Sequence, residues 1–157
     1  VGRPLLGEPH VLNEEGEATV TATKLSAKTA TGRVRLSVER TCSADVLLRH
    51  KTTRRELYER ELAAARGEGF DEVIFLNERG EVTEGAISNV FIRREGRLLT
   101  PPLRCGVLPG VLRRHLLGSD ASAEERVLML GDLVAAEAIF LGNSVRGLRE
   151  VRLLQAG

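Results

Sequence analysis

The sequence predicts an α+β fold. Three observations carry this: several short β-rich stretches bounded by turn residues, one stretch of helical pattern between Thr52 and Gly67, and a Pro-Gly helix start at Pro109-Gly110. With 157 residues, 42% hydrophobic and 29% charged, the chain is expected to be soluble and able to bury one sizeable core. Its 23 basic and 22 acidic side chains are interspersed and leave a net charge of +1, so no general attraction to nucleic acid or to an anionic membrane is expected. Aromatic residues make up 3%, without tryptophan, which argues against platforms for base stacking. No apolar run approaches the roughly 20 residues of a membrane span, and the first residues lack a charged-then-apolar signal pattern. A cytoplasmic location follows as the expectation. Cys42 and Cys105 are too few and too isolated for a disulfide framework or a zinc site, and both read as packing residues.

Taken in order, the opening VGRPLLGEPH has no periodicity and reads as loop. After a turn at Asn13–Gly16, the residues from Ala18 to Thr23 alternate β-branched with small side chains and predict a strand. A second strand is expected from Arg33 to Arg40, with Val34, Leu36 and Val38 on one face and charges on the other. The polar stretch from Thr41 to Asp45 reads as a linker. Helical pattern follows Lys51, with Thr52 or Thr53 as cap, Leu57, Leu62 and the alanines at 63 to 65 as the apolar stripe, and Gly67 and Gly69 as the stop. Taken alone, Lys51 at this helix entry is a solvated surface charge.

The most informative stretch runs from Asp71 to Arg94. Val73 to Leu76 predicts a strand, Asn77-Glu78-Arg79-Gly80 a turn, and Asn89 to Ile92 another strand, with Glu84-Gly85 breaking the segment between them. The conformational freedom of glycine at Gly85 would let the chain bend and point Glu84 into a site. Gly96 turns a hairpin into Arg97–Thr100, and Pro101-Pro102 ends it. Pro109 suits the first turn of a helix, and the unpaired N–H groups of Val111 and Leu112 would then face outward as a seat for phosphate, although a merely structural helix start fits equally well. Strands are expected over residues 126–130, 138–141 and 148–154, with a short helix over 132–137. Gly142-Asn143-Ser144 supplies small polar groups that are either ligand donors or a turn.

TEGAISNVF, the preceding FDEVIFLNERGEV, the later LLTPPLRCGVLPGVLRR and the closing AIFLGNSVRGLREV together resemble the class IV aminotransferase family, fold type IV of the pyridoxal-phosphate enzymes. HKTTRRELYERELAAARGEGFDEVIFLN and FLGNSVRGLREV are most similar to the aminodeoxychorismate lyase-like domain fused behind the synthase component in some bacteria. The resemblance runs from about His50 to Val151. It implies the D-amino-acid aminotransferase-like large domain, a mixed β-sheet or pseudo-barrel with flanking helices, over residues 46–157. Residues 1–45 would be the last strands of the small N-terminal domain and a linker, without its phosphate-binding arginine. The implied cofactor is pyridoxal 5'-phosphate, with Lys51 as catalytic lysine and covalent anchor. Glu84, 33 residues later, would pair with the pyridine nitrogen, Gly110, Val111 and Leu112 would hold the phosphate with Ser144, and Asn89 would lie beside the cofactor. Where many relatives carry an Asn-Leu or Asn-Tyr pair, this chain has Arg54, Arg55 and Glu56, so the cofactor oxygen has no assigned partner. The resemblance further implies a small-molecule amine substrate, a homodimer, and either lyase action on aminodeoxychorismate in folate biosynthesis or transamination of branched-chain or D-amino acids. A catalytically inactive truncated domain is the third expectation.

Overall fold

A computed structural model describes residues 31–154 and four short strands before them: β1 (Leu6–Gly7), β2 (His10–Leu12), β3 (Ala18–Val20) and β4 (Thr23–Lys24). The chain forms two compact units, Val1–Ala30 and Thr31–Gly157. In the first, β2 pairs antiparallel with β3 and β1 with β4. The opening expected as loop therefore contributes Leu6–Gly7 and His10 to strands, because the backbone groups there find partners across the pair. The turn expected at 13–16 and residues 21–22 of the expected strand lie outside the described residues.

The second unit contains β5 (Gly32–Thr41), α1 (Glu56–Gly67), β6 (Glu72–Asn77), β7 (Val82–Gly85), β8 (Asn89–Arg94), β9 (Arg97–Thr100), α2 (Val111–Ser119), β10 (Ala123–Glu125), α3 (Leu130–Val134), β11 (Ala138–Asn143) and β12 (Gly147–Leu153). One mixed sheet runs in the order β10-β9-β8-β11-β12-β5-β6-β7, and β7 returns to pair with β8. One edge of β8 meets β11, while the other is shared, Asn89 pairing with Glu84 of β7 and Ile92 to Arg94 pairing with β9. Six strands thus close into a pseudo-barrel through the single residue pair Glu84 and Asn89. β5 lies parallel to both β6 and β12, which places it inside this sheet.

The alternation of β6 organises two cores. Ile74 and Leu76 join Val82, Val90, Ile92, Ile139 and Leu141 in the larger cluster, while Val73 and Phe75 face α1 and meet Tyr58, Leu62 and Ala65. Burial on both faces explains why this strand reads as a continuous apolar run. The α1 stripe uses Tyr58, Glu61, Leu62 and Ala65, at helical spacing, with Leu57 partly buried against the same cluster, while the alanines at 63 and 64 are exposed. Acidic Glu56 and Glu59 in its first turn and Arg66 in its last suit the helix dipole. Arg55 occupies the N-cap position without a side-chain cap, so neither Thr52 nor Thr53 caps the helix. Gly69, at φ +84, supplies the left-handed stop.

Other boundaries move for local reasons. Val38 is 85% exposed, since a register shift between Leu36 and Arg40 against β6 breaks the alternation that would have buried it. The strand expected over 126–130 is β10, three residues earlier, where Ala123 to Glu125 pair parallel with Leu98 to Thr100. The expected helix over 132–137 begins at Leu130, where the Asp132 carboxylate accepts from the Met129 N–H at 2.8 Å. The polar stretch from Thr41 to Asp45 is held to the sheet: Glu78 accepts from the Ser43 N–H at 2.8 Å and from its hydroxyl at 2.6 Å. This tie fixes the approach to Lys51.

Candidate active site

A bulge aims Glu84. Leu76 faces Val82 and Ile74 faces Gly85, so β7 takes three steps where β6 takes two. The extra residue turns Glu84 away from the core face that Val82 occupies and toward Tyr58 of α1. Glu84 is 6% exposed. Its Oε1 accepts from the Tyr58 hydroxyl at 3.1 Å and its Oε2 from the Leu108 N–H at 3.0 Å. Burial pushes the Glu84 carboxyl up to about 7; the Leu108 N–H, the Tyr58 hydroxyl and the Arg55 guanidinium oppose that rise, and nearby Glu72 reinforces it. Burial, and then the Glu84 charge, likewise push the Tyr58 phenol well above its ordinary range, so it stays a donor.

Gly85 serves a different purpose from the one expected. It is not among the glycines with positive φ. Its hydrogen leaves room for the Glu72 carboxylate, with which a Cβ would collide. Glu72, itself 6% exposed, accepts from the Ile87 N–H at 3.0 Å and the Ser88 hydroxyl at 3.2 Å, tying down the loop after Glu84. Asn143 donates to the Ile87 carbonyl at 3.1 Å from β11.

Above that loop lies a cleft of about 420 Å³, the size of a small-ligand site. Lys51 reaches it from beyond a 3-10 turn, Val46–Arg49, which Asp45 caps by accepting from the Leu47 N–H at 2.9 Å. Asn89 lines it and donates to the Leu108 carbonyl at 2.9 Å. Gly110 is the N-cap of α2; Pro109 precedes it instead of lying in the first turn, because the helix starts at Val111. A Cβ on Gly110 would collide with the Asn89 Oδ1, so glycine is required here for close approach. Val111 and Ser144 line the cleft as well. Leu112 is not among the lining residues; its side chain turns to β11, where its Cδ2 lies 2.9 Å from the position a Cβ on Gly142 would take. As at any helix start, the first N–H groups of α2 lack intrahelical acceptors.

The structure therefore brings Lys51, Glu84, Asn89, Gly110, Val111 and Ser144 around one cleft and sets Leu112 behind it. It adds Arg49, His50, Arg55 and Leu108 to the walls, so cationic groups and backbone donors outnumber the one carboxylate, Glu84. Tyr58 and Glu72 were missed from the sequence. The spacing of Tyr58 with Leu62 and Ala65 could have marked its burial; no sequence signal separates Glu72 from other acidic residues before a strand.

Fold and site together define a class of protein. The model of the family described as amino-transferase class IV matches residues 6–154, and the chain belongs to that family, whose cofactor is pyridoxal phosphate. Among solved structures, it is similar to a "putative amino-acid aminotransferase" from Mesorhizobium loti, with 43% identity, a TM-score of 0.84, and coverage of 95% of this chain and 73% of that one. A "putative 4-amino-4-deoxychorismate lyase" from Legionella pneumophila matches at 26% identity and a TM-score of 0.80, over 87% of this chain and 53% of that one. A "probable branched-chain-amino-acid aminotransferase" from Thermotoga maritima is 38% identical over 87 residues, which are 53% of this chain and 32% of that protein. The matched stretch spans about a third of the curated relatives' length, 32% and 33% for the first two.

The residues present fit this cofactor. A glycine at the start of a helix with open N–H groups suits a phosphate, a buried carboxylate suits a ring nitrogen, and a lysine lines the same cleft. Among the described residues, no helix is long and apolar enough to cross a membrane.

Proposed function

We propose that this chain is the cofactor-binding portion of a pyridoxal-phosphate enzyme acting on a small-molecule amine, with 4-amino-4-deoxychorismate lyase as its activity. The observation that carries the reading is the single cleft walled by Lys51, Glu84 and the Gly110 helix start. When bound, pyridoxal phosphate supplies an electron sink for charge developing next to the amine nitrogen. The N–H groups at the start of α2, with Ser144, would hold its phosphate, and Glu84 would hold the proton at its ring nitrogen. Lys51 would anchor the cofactor and, once released by the substrate amine, accept the substrate's ring proton at Nζ. Cleavage of the ring C–O bond would release the enolpyruvyl group, which regains that proton to become pyruvate, and would leave the aromatic ring of 4-aminobenzoate, a folate precursor. The cationic side chains of Arg49 and Arg55 on the wall suit an acidic substrate.

Transamination is the second reading, supported by the similarity to the Mesorhizobium loti protein at 43% identity. It would use the same Lys51 and Glu84 but return the proton to the cofactor. In both readings the enzyme works in the cytoplasm as a homodimer. The deciding experiment is cofactor uptake by the wild type and by Lys51→Ala. The expected result is a yellow chromophore that borohydride fixes onto Lys51 in the wild type and not in the variant. A colourless wild type that takes up no added cofactor refutes both readings and leaves an inactive domain. Pyruvate release from aminodeoxychorismate without a keto acid selects the lyase; consumption of an amino donor with formation of the pyridoxamine form selects the aminotransferase.

A further inference from the structure

We infer that Tyr58 is a positioning residue for Glu84, holding its carboxylate in one plane from outside the cleft, with Arg55 locking the tyrosine in place. The inference rests on the proposed role of Glu84 opposite a cofactor ring nitrogen and extends it to a residue that does not line the large cleft. Tyr58 borders instead a smaller cavity of about 150 Å³, and His50, Arg55, Glu84 and Leu108 border both spaces. Glu84 and Arg55 therefore form part of a partition, and Tyr58 acts on Glu84 from its far side.

A buried carboxylate at the end of a flexible side chain needs two fixed donors if it is to present its remaining lone pairs in one direction. The Leu108 N–H fixes Oε2 through the backbone. The Tyr58 hydroxyl fixes Oε1, and it is itself immobilised: its ring packs on Phe75 with centroids 4.7 Å apart, and the Arg55 guanidinium lies 4.9 Å from the ring centroid. Arg55 is tethered in turn, donating to the Ala86 carbonyl just past Glu84 and Gly85. The links run from the α1 N-cap through the tyrosine ring to the carboxylate and back to its own strand.

The charged and titratable groups around this pair act in both directions. Arg55 favours the ionised carboxylate, Glu72 from β6 disfavours it, and Asp45 acts on the tyrosine. Lys51 and His50 share the cleft wall with Glu84. Among them, the Tyr58 hydroxyl is a neutral donor, so it stabilises the ionised form without adding a charge that would compete with a cationic ring nitrogen. Without it, the buried carboxyl keeps its own proton to higher pH and loses its fixed plane.

The test is Tyr58→Phe in the full chain, which keeps the ring on Phe75 and removes the hydroxyl. The Glu84 carboxyl is titrated by difference infrared spectroscopy, its band identified by its loss in Glu84→Gln. The midpoint is expected to rise by about one pH unit, the scale of one hydrogen bond to a charged group. Phe75→Leu, which loosens the ring packing and leaves the hydroxyl, is expected to shift it far less. In the cofactor-loaded protein, the pH profile of the visible absorbance is expected to change in Tyr58→Phe alone. An unchanged Glu84 midpoint in Tyr58→Phe, or an equal shift in Phe75→Leu, overturns the inference. A wild type that takes up no cofactor refutes the proposed function, while the titration still decides what Tyr58 does to Glu84.

Discussion

Glu84→Gln should make the chain more stable at alkaline pH while removing the charge that the proposed function assigns to the cofactor's ring nitrogen. In the fold, burial raises the Glu84 carboxyl from its ordinary 4.5 to about 7. The folded chain thus binds this proton more tightly than the unfolded chain does. Stability from this site is greatest below about 4.5, falls as pH rises toward 7, and levels off above it. The difference, 7 − 4.5 = 2.5 pH units, corresponds to about 3 kcal/mol at 1.36 kcal/mol per unit. Glutamine mimics the protonated acid in shape. Its carbonyl can accept from the Leu108 N–H while its amide donates to the Tyr58 oxygen, so neither neighbour is left without a partner.

Urea unfolding of both proteins between pH 5 and pH 8.5 measures the effect. Near pH 5 the two midpoints should nearly coincide. By pH 8.5 the variant should lead by about 3 kcal/mol, or roughly 1.5 M urea for an m-value near 2 kcal/mol/M. A gap that stays constant across this range would falsify the assignment of a raised carboxyl to Glu84. The variant should also take up pyridoxal phosphate less tightly than the wild type, since it offers the ring nitrogen no negative charge.

Two further substitutions probe the frame around the cleft. Gly110→Ala forces a Cβ against the Asn89 carboxamide; thermal melting should show a loss of about 1–3 kcal/mol, and fluorescence titration should show weakened binding of pyridoxal phosphate. Phe75 is fully buried between Tyr58 and the helix-facing cluster, so Phe75→Ala should cost about 3–5 kcal/mol in urea unfolding, and a loss below about 1 kcal/mol would contradict the packing described.

The sequence made the strands of the central sheet legible where apolar alternation and turn residues agreed, as in Val73–Leu76, Asn89–Ile92 and the Gly96 hairpin. It was less informative where local pattern and tertiary packing diverged. Val38 fits the alternation of its strand, yet the register shift against β6 exposes it. Pro109-Gly110 announced the α2 helix, but the position of its first residue depends on how Gly110 meets Asn89 across the fold. The candidate residues that share the cleft were named from motif resemblance, whereas Tyr58 and Glu72 were not, because each acts through a partner distant in sequence: Tyr58 on Glu84, and Glu72 on Ile87 and Ser88. A hydrogen bond across 26 residues leaves no periodic mark.

The barrel closes through Glu84 and Asn89 alone, and both are candidate site residues. A sheet would close more stably with several apolar pairs at this point, but a longer β7–β8 ladder would pull Glu84 into regular alternation and onto the core face shared with Val82. The bulge on β7 and the ties from the Ile87 N–H and the Ser88 hydroxyl to Glu72 replace the missing pairs with polar contacts. The raised Glu84 carboxyl is the energetic counterpart of that geometry: a charge-bearing group is kept in a buried seam, where an apolar residue would stabilise the empty fold more. The shortest ladder of the barrel and the wall of the cleft thus coincide, because an interrupted ladder frees the Glu84 carboxylate from the core face.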